Sequence, residues 1–235
     1  MIDVHNHQLY GIDDGSTCLE DSLDVLKSMS KFGYTDVILT PHYIRDSRYS
    51  SNVRNNKRII EELREALREN NININVYLGN EIFMDDDIIG LLKEKEITSL
   101  NGSEYVLIEL PMSGDYPDYI DIFRELMARG CKVILAHPER YLSFQEDYTL
   151  CDEVYEEGIL LQCNIDSLNG KYGPEAEKLI KYLLKNKMVS LLGTDIHRAK
   201  HDYNDWKKAK KLALKYISES EFDDLTINNP RKIIS

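Results

Sequence analysis

The chain has 235 residues, 42% of them hydrophobic, with 29 Lys and Arg against 41 Asp and Glu, a formal charge of −12. A chain of this length buries roughly 70 to 75% of its unfolded surface, so one domain needs neither disulfides nor a structural metal, and any metal would serve function. The charge repels polyanions and no dense Lys/Arg block offsets it, which argues against a nucleic-acid partner or an anionic membrane surface.

The opening MIDVHNHQLYG lacks a basic segment followed by an apolar one, and no window reaches the roughly 18 apolar residues of a membrane span. A cytosolic protein without membrane insertion is expected. The first strand is Ile2 to Val4. Leu19, Leu23, Leu26 and Met29 or Ser30 recur at helical spacing, and Gly33 closes that helix. The β-branched run Thr35 to Thr40 predicts a second strand, followed by Pro41 and a polar stretch through Asn52. Ile59, Ile60, Leu63 and Leu67 predict the next helix, and Ile74 to Leu78 the next strand.

The alternation continues with a strand over Tyr105 to Leu110, a helix from Asp118 to Arg129 ended by Gly130, and a strand over Val133 to Ala136. A helix over Leu150 to Glu157 stops at Gly158, before the strand Ile159 to Cys163. The helix from Pro174 to about Lys187 has proline in its first turn, and the strand Val189 to Leu192 precedes a helix from about Asn204 to Ile217. Seven strands alternating with helices, without a linker or repeat, predict one α/β domain over residues 1–235 with a parallel sheet, doubly wound or closed as a barrel. Periodicity does not choose between the two.

Cys18, Cys131, Cys151 and Cys163 form no Cys-x-x-Cys pair and read as reduced, packed thiols. A phosphatase loop of Cys, five residues, then Arg is absent, since Asp24, His137, Glu157 and Asn169 stand six positions on.

Unusual residues gather at the strand ends. His5 and His7 end the first strand, His42 follows the second, Glu81 the third, and Glu109 ends YVLIEL. His137 ends VILAH, while Asp195 and His197 close LLGTDIH. In a parallel barrel the C-terminal strand ends meet on one face, where active sites lie. Imidazole and carboxylate are the ligands of zinc, manganese and iron(II). Taken singly, His42 also reads as a loop histidine, Glu81 as a solvated residue before a helix, and Asp195 as a helix N-cap. As a set without cations they would pile up like charges and unpaired polar groups, which favours a metal cluster. His201 follows no strand.

Gathered as DVHNH, TPH, GNE, HPER and GTDIH, these motifs resemble the polymerase and histidinol phosphatase superfamily. More narrowly, the chain is similar to the bacterial manganese-dependent tyrosine phosphatases of capsule and exopolysaccharide synthesis. The likeness runs from DVHNHQLYGIDDG through LGNEI, AHPERY and NGKYG to INNPRKII. It implies a distorted seven-stranded β/α barrel, (β/α)7, with three divalent metal ions at the strand C-termini, manganese foremost, with iron or zinc acceptable to the same donors. His5, His7, Glu81 and Asp195 resemble the ligands of one ion. Glu81 would bridge to a second held by Glu109 and His137, and Asp14, His42 and His197 would hold the third. Chemistry alone does not choose between Asp13 and Asp14 of GIDDG; the family pattern points to Asp14, leaving Asp13 to brace the loop.

The implied activity is hydrolysis of a phosphate monoester, foremost phosphotyrosine on a bacterial tyrosine kinase of capsule synthesis, by in-line attack of a metal-activated hydroxide without a phosphocysteine. Three divalent ions bring about +6 against the −4 of Asp14, Glu81, Glu109 and Asp195, leaving about +2, so the pocket is cationic on an acidic protein. Arg140 of HPER is expected to grip phosphate oxygens. The family's second arginine is not matched: Asp202 stands at the expected spacing, and Arg198 and Lys200 are the nearby candidates. Tyrosine leaves as a phenolate with a pKa near 10, so no general acid is nominated. Tyr43, Tyr49, Tyr116, Tyr119 and Tyr141, in loops after strands, are candidates for an aromatic rim, with loop anchoring as the alternative. The rival readings are a histidinol-phosphate-type small-molecule phosphatase, a nucleic-acid-processing enzyme, disfavoured by the charge, and a non-catalytic kinase-binding regulator.

Overall fold

Short runs of Val, Ile and Leu that are buried on nearly every residue are strands covered on both faces. The computed structural model, which describes residues 1–114, 118–198 and 203–235, places them as β1 (Ile2–Asp3), β2 (Asp36–Leu39), β3 (His42–Tyr43), β4 (Asn75–Leu78), β5 (Glu81–Phe83), β6 (Tyr105–Glu109), β7 (Lys132–Ala136), β8 (Leu160–Asn164) and β9 (Val189–Gly193). All seven predicted strands are present. Two strands were not predicted: β3 follows β2 beyond Thr40-Pro41, and β5 follows β4 beyond Gly79-Asn80. Pro41 has no N–H for a ladder, so pairing resumes beyond it in a second sheet.

The strands pair in parallel as two sheets, in the orders β1-β2-β4 and β3-β5-β6-β7-β8-β9. The expected barrel is therefore not a closed ladder of strands among the described residues. The reason lies where β1 meets β9. Asp3, fully buried, accepts the Thr194 N–H at 3.0 Å and the Thr194 hydroxyl at 2.6 Å, and its carboxylate stands in for main-chain pairing. Beyond it, Asn6 and Ile196 pair as an isolated parallel bridge. Both sheets nevertheless share one buried cluster, in which Val4 and Ile38 meet Leu107, Ile134, Ala136, Leu191 and Ile233.

Helices cover the outer faces. The predicted ones appear as Leu19–Phe32, Val53–Glu69, Tyr119–Ala128, Thr149–Glu156, Pro174–Lys185 and Tyr203–Ala213. Gly33 closes the first in the left-handed region at φ +107°, bonding the carbonyls of Met29 and Ser30. Ile88–Glu94 and Leu142–Glu146 escaped the sequence reading because two turns or fewer show no period. No helix among the described residues is long and apolar enough to cross a membrane.

Because Asp3 also accepts from Asn6 Nδ2 at 3.0 Å, its loss strands several buried donors. Asp3→Ala is expected to lower stability by about 3 kcal/mol, read from urea unfolding at constant m-value.

Candidate metal centre

Each strand end delivers its side chain by ordinary geometry. His5 and His7 share one side of an extended segment, by the two-residue period of such chains. His42 opens β3, Glu81 opens β5, Glu109 ends β6, and His137 follows β7. Two of the set adopt left-handed backbone, His137 at φ +32° and Asp195 at φ +49°. That costs an L residue about 1 to 2 kcal/mol, and such strain concentrates at functional sites. The Asp195 N–H is held by the His5 carbonyl at 2.9 Å. The GIDDG loop lies so close to His7 that a Cβ on Gly15 would stand 1.9 Å from the His7 carbonyl oxygen.

Four donors converge at the centre. His5 Nε2 and His7 Nε2 are 3.2 Å apart. Glu81 Oε2 lies 3.1 Å from His5 and 3.2 Å from His7, and Asp195 Oδ1 lies 3.6 and 3.4 Å from the same atoms. Donors about 2.0 to 2.2 Å from a common centre in tetrahedral array stand about 3.3 to 3.6 Å apart, so the spacing suits a first-row divalent ion. Glu81 Oε2 and Asp195 Oδ1 are both buried without a hydrogen-bond partner. Both oxygens face the His5 and His7 nitrogens out of water, and this donor set fits a cation.

Two further groups adjoin. His137 Nε2 lies 2.9 Å from Glu81 Oε1 and 3.6 Å from Glu109 Oε1. Asp14 Oδ1 lies 3.6 Å from His42 Nε2 and 3.4 Å from His197 Nε2, with the His7 and His197 rings stacked at 3.9 Å. His42 faces two ways, since its Nδ1 is 3.0 Å from Glu81 Oε2 and 3.6 Å from Glu109 Oε2. All nine sequence-nominated donors thus lie in one connected cluster.

Electrostatics follows from packing carboxylates and imidazoles together out of water. Burial alone would strip the proton from His5, but the Glu81 and Asp195 charges outweigh it and raise the ring to about 9. Burial and the Glu81 charge push Glu109 up to about 8. Burial likewise opposes ionisation of Glu81, yet the His5 and His42 charges hold it well below the usual range. Burial lowers His137 to about 4, leaving it neutral with a lone pair to give.

Asp13 does more than brace the loop. It accepts the Gly15 and His42 backbone N–H groups, both at 2.9 Å, and it bonds His7 Nδ1 at 2.7 Å, which turns Nε2 toward the centre. The sequence reading also missed Gln162, Asn164 and Tyr172. Two amides at alternate positions of the apolar run LLQCN were the available signal for the first two. Arg140 Nη1 bonds Asp195 Oδ2 at 2.7 Å, and its guanidinium stacks on the Tyr172 ring at 4.6 Å. Arg198 is exposed just past His197.

The aromatic rim is corrected. Tyr43 and Tyr141 are buried, and Tyr141 is an anchor whose hydroxyl donates to the Ala136 carbonyl at 2.7 Å. Tyr119 packs on Phe123 and Phe144. Tyr49 stacks near His42, at 6.1 Å. Tyr116, Lys200, His201 and Asp202 lie outside the described residues. Cys151 and Cys163 are buried, and burial pushes both thiols up, away from the thiolate that a nucleophile requires.

Over residues 1–235 the chain matches the family described as capsular polysaccharide synthesis, CpsB/CapC. It is 34% identical over 198 residues to a putative tyrosine-protein phosphatase CapC of Staphylococcus aureus, across 84% of this chain and 77% of that protein. It is 26% identical over 239 residues to the tyrosine-protein phosphatase CpsB of Streptococcus pneumoniae, across 100% and 98%. Among solved structures, one from work on YwqE of Bacillus subtilis and CpsB of S. pneumoniae, described as unique metal-dependent tyrosine phosphatases, aligns with a TM-score of 0.88 at 24% identity, over 100% of this chain and 94% of that one. A histidinol phosphate phosphatase from Lactococcus lactis, solved with zinc, L-histidinol and phosphate, aligns at 0.58 and 17% identity over 92% and 93%. These two likenesses establish the fold, and the family match covers every residue. The chain belongs to the CpsB/CapC family of capsular polysaccharide synthesis.

Proposed function

We propose that this chain is a metal-dependent protein-tyrosine phosphatase whose substrate is a phosphorylated tyrosine kinase of capsule or exopolysaccharide synthesis. The observation that carries the reading is the buried set of His5, His7, Glu81 and Asp195 with metal-like spacing. Relatives named tyrosine-protein phosphatases, matched over most or all of this chain, support the substrate class. The two sheets are read as one distorted barrel, supported by their shared inner cluster.

Three sites for divalent ions, manganese foremost, follow from the donor groups. His5, His7, Glu81 and Asp195 would hold the first, Glu81, Glu109 and His137 the second, and Asp14, His42 and His197 the third. Bound there, such ions neutralise a phosphate monoester and make water acidic enough to attack at neutral pH. The chain's own residues do the rest. Glu81 presents one oxygen to His5, His7 and His42 and the other to His137, which ties the donor groups together. Asp195 holds Arg140 by one guanidinium nitrogen, and the Tyr172 ring supports its plane, leaving other N–H groups for phosphate oxygens. Arg198 is the second candidate contact.

The test reloads chelator-treated protein with manganese, iron(II) or zinc and assays phosphotyrosine peptide, phosphoserine peptide and histidinol phosphate, with metal content measured on the same sample. Phosphotyrosine turnover that tracks metal content is expected. Preference for histidinol phosphate would replace the substrate, and a loaded protein without turnover would overturn the enzyme reading. Arg140→Ala is expected to raise KM for the peptide about tenfold or more with a smaller change in kcat; an unchanged KM removes Arg140 from substrate binding.

A further inference from the structure

β8 is the one strand of the six-stranded sheet that neither contains nor leads into a proposed ligand: β3 opens on His42, β5 opens on Glu81, β6 ends on Glu109, and β7 and β9 lead to His137 and Asp195. In their place β8 carries two fully buried amides at alternate positions, Gln162 and Asn164. We infer that Gln162 and Asn164 are positioning residues, a two-amide relay that aims the His5 ring and the Asp195 carboxylate at one cation. The inference rests on the metal-centre reading above.

The relay has one direction, and its chemistry fixes that direction. Asn164 Nδ2 is 2.7 Å from Asp195 Oδ2, a carboxylate oxygen that can only accept, so the Asn164 amide must present its NH2 there. Its Oδ1 then faces Gln162 Nε2 at 3.0 Å, which donates to it. That leaves Gln162 Oε1 against His5 Nδ1 at 2.7 Å. An amide oxygen accepts, so His5 carries its hydrogen on Nδ1, and Nε2 is left to present a lone pair to the centre. At the other end, occupying Asp195 Oδ2 keeps Oδ1, the atom without a hydrogen-bond partner, aimed inward. One chain of bonds therefore sets both the tautomer of one donor and the rotation of another.

The surroundings serve the same geometry. Buried Glu139, the acid of HPER that the ligand set leaves unused, accepts the Asn164 backbone N–H at 2.8 Å and the Ser167 hydroxyl at 2.7 Å, which pins the end of β8. Gly193 leaves the space: a Cβ there would stand 2.8 Å from Gln162 Nε2 and 3.1 Å from His5 Cβ.

Direction makes the relay testable with two variants that add the same charge. Position 162 must accept from His5, which a glutamate still does while giving up the donation to Asn164 Oδ1. Position 164 must donate to Asp195, which an aspartate cannot. Manganese binding is read by competition with a fluorescent chelator, with circular dichroism of each protein in excess chelator as the folding control. We expect Gln162→Glu, which keeps the bond to His5 and loses the one to Asn164, to bind within a few-fold of the wild type, and Asn164→Asp to bind about ten- to hundredfold more weakly. A general effect of added charge would strengthen both, and a packing role would weaken both, so like behaviour of the two variants, or the reverse order, overturns the inference. Gln162→Leu and Asn164→Leu carry no charge inward and are each expected to weaken binding by a similar factor. They decide the matter if Asn164→Asp does not fold, and unchanged binding in either refutes the relay. Wild-type protein that binds no manganese would instead sink the metal-centre reading itself.

Discussion

Glu81→Gln, a change of one atom, is expected to reduce kcat/KM on a phosphotyrosine peptide by about three orders of magnitude or more, a loss of about 4 kcal/mol of transition-state stabilisation. Glu81 has no expendable side: Oε2 is 3.0 to 3.2 Å from donors on His5, His7 and His42, and Oε1 is 2.9 Å from His137. Whichever way a glutamine turns, its NH2 meets imidazole nitrogens and one negative charge is gone from a buried site. The volume is kept, so far-UV circular dichroism should be unchanged. The second readout is thermal. A ligand at about a hundred times its Kd stabilises the folded state by about 2.7 kcal/mol, which in a chain of this length is an upward shift of about 5 to 10 °C. Manganese should give that shift in the wild type and little or none in the variant. A variant with full turnover and a normal shift removes Glu81 from the centre.

Manganese affinity should climb steeply with pH between about 6 and 8, by about tenfold per unit for each proton that must leave before the donors are free, and Glu109, His5 and His7 each hold one. The sign follows from the groups concerned. Glu109, raised to about 8 by burial and the Glu81 charge, is protonated at neutral pH and cannot ligate in that form. His5, raised to about 9 by Glu81 and Asp195 against the effect of burial, likewise holds a proton that an ion must displace. Below these values each displaced proton contributes a factor of ten per pH unit. Titration calorimetry in buffers of different ionisation enthalpy measures the protons released, at least two at pH 7. Release of none would show that these groups are not the ligands.

How far such features were legible before folding depends on the range of the interaction behind them. The runs TDVILT and YVLIEL and the helical spacing of Leu19 to Met29 read correctly because both periods are local. The breaks at Pro41 and Gly79 were not legible as a change of sheet, since pairing is decided by partners far along the chain. GIDDG shows the same boundary within two residues. Either aspartate has ligand chemistry, but the loop buries Asp13 against His7 Nδ1 and leaves the Asp14 side chain 45% exposed toward His42 and His197. The tyrosines after strands likewise divided by packing: Tyr141 went inward to bond the Ala136 carbonyl, while Tyr172, quoted in NGKYG but given no role there, came to carry Arg140.

The amino-acid sequence by itself determined the alternation of strands and helices and the stock of donors at the strand ends, because hydrophobic period and side-chain chemistry belong to each segment alone. Tertiary structure alone decided that the Glu81 and Asp195 oxygens stand 3.1 to 3.6 Å from the His5 and His7 nitrogens, themselves 3.2 Å apart. It also decided that the amides of β8 aim two of them. Distances of that order between residues remote in the chain are set by which sheet surfaces pack together, and no local pattern encodes them.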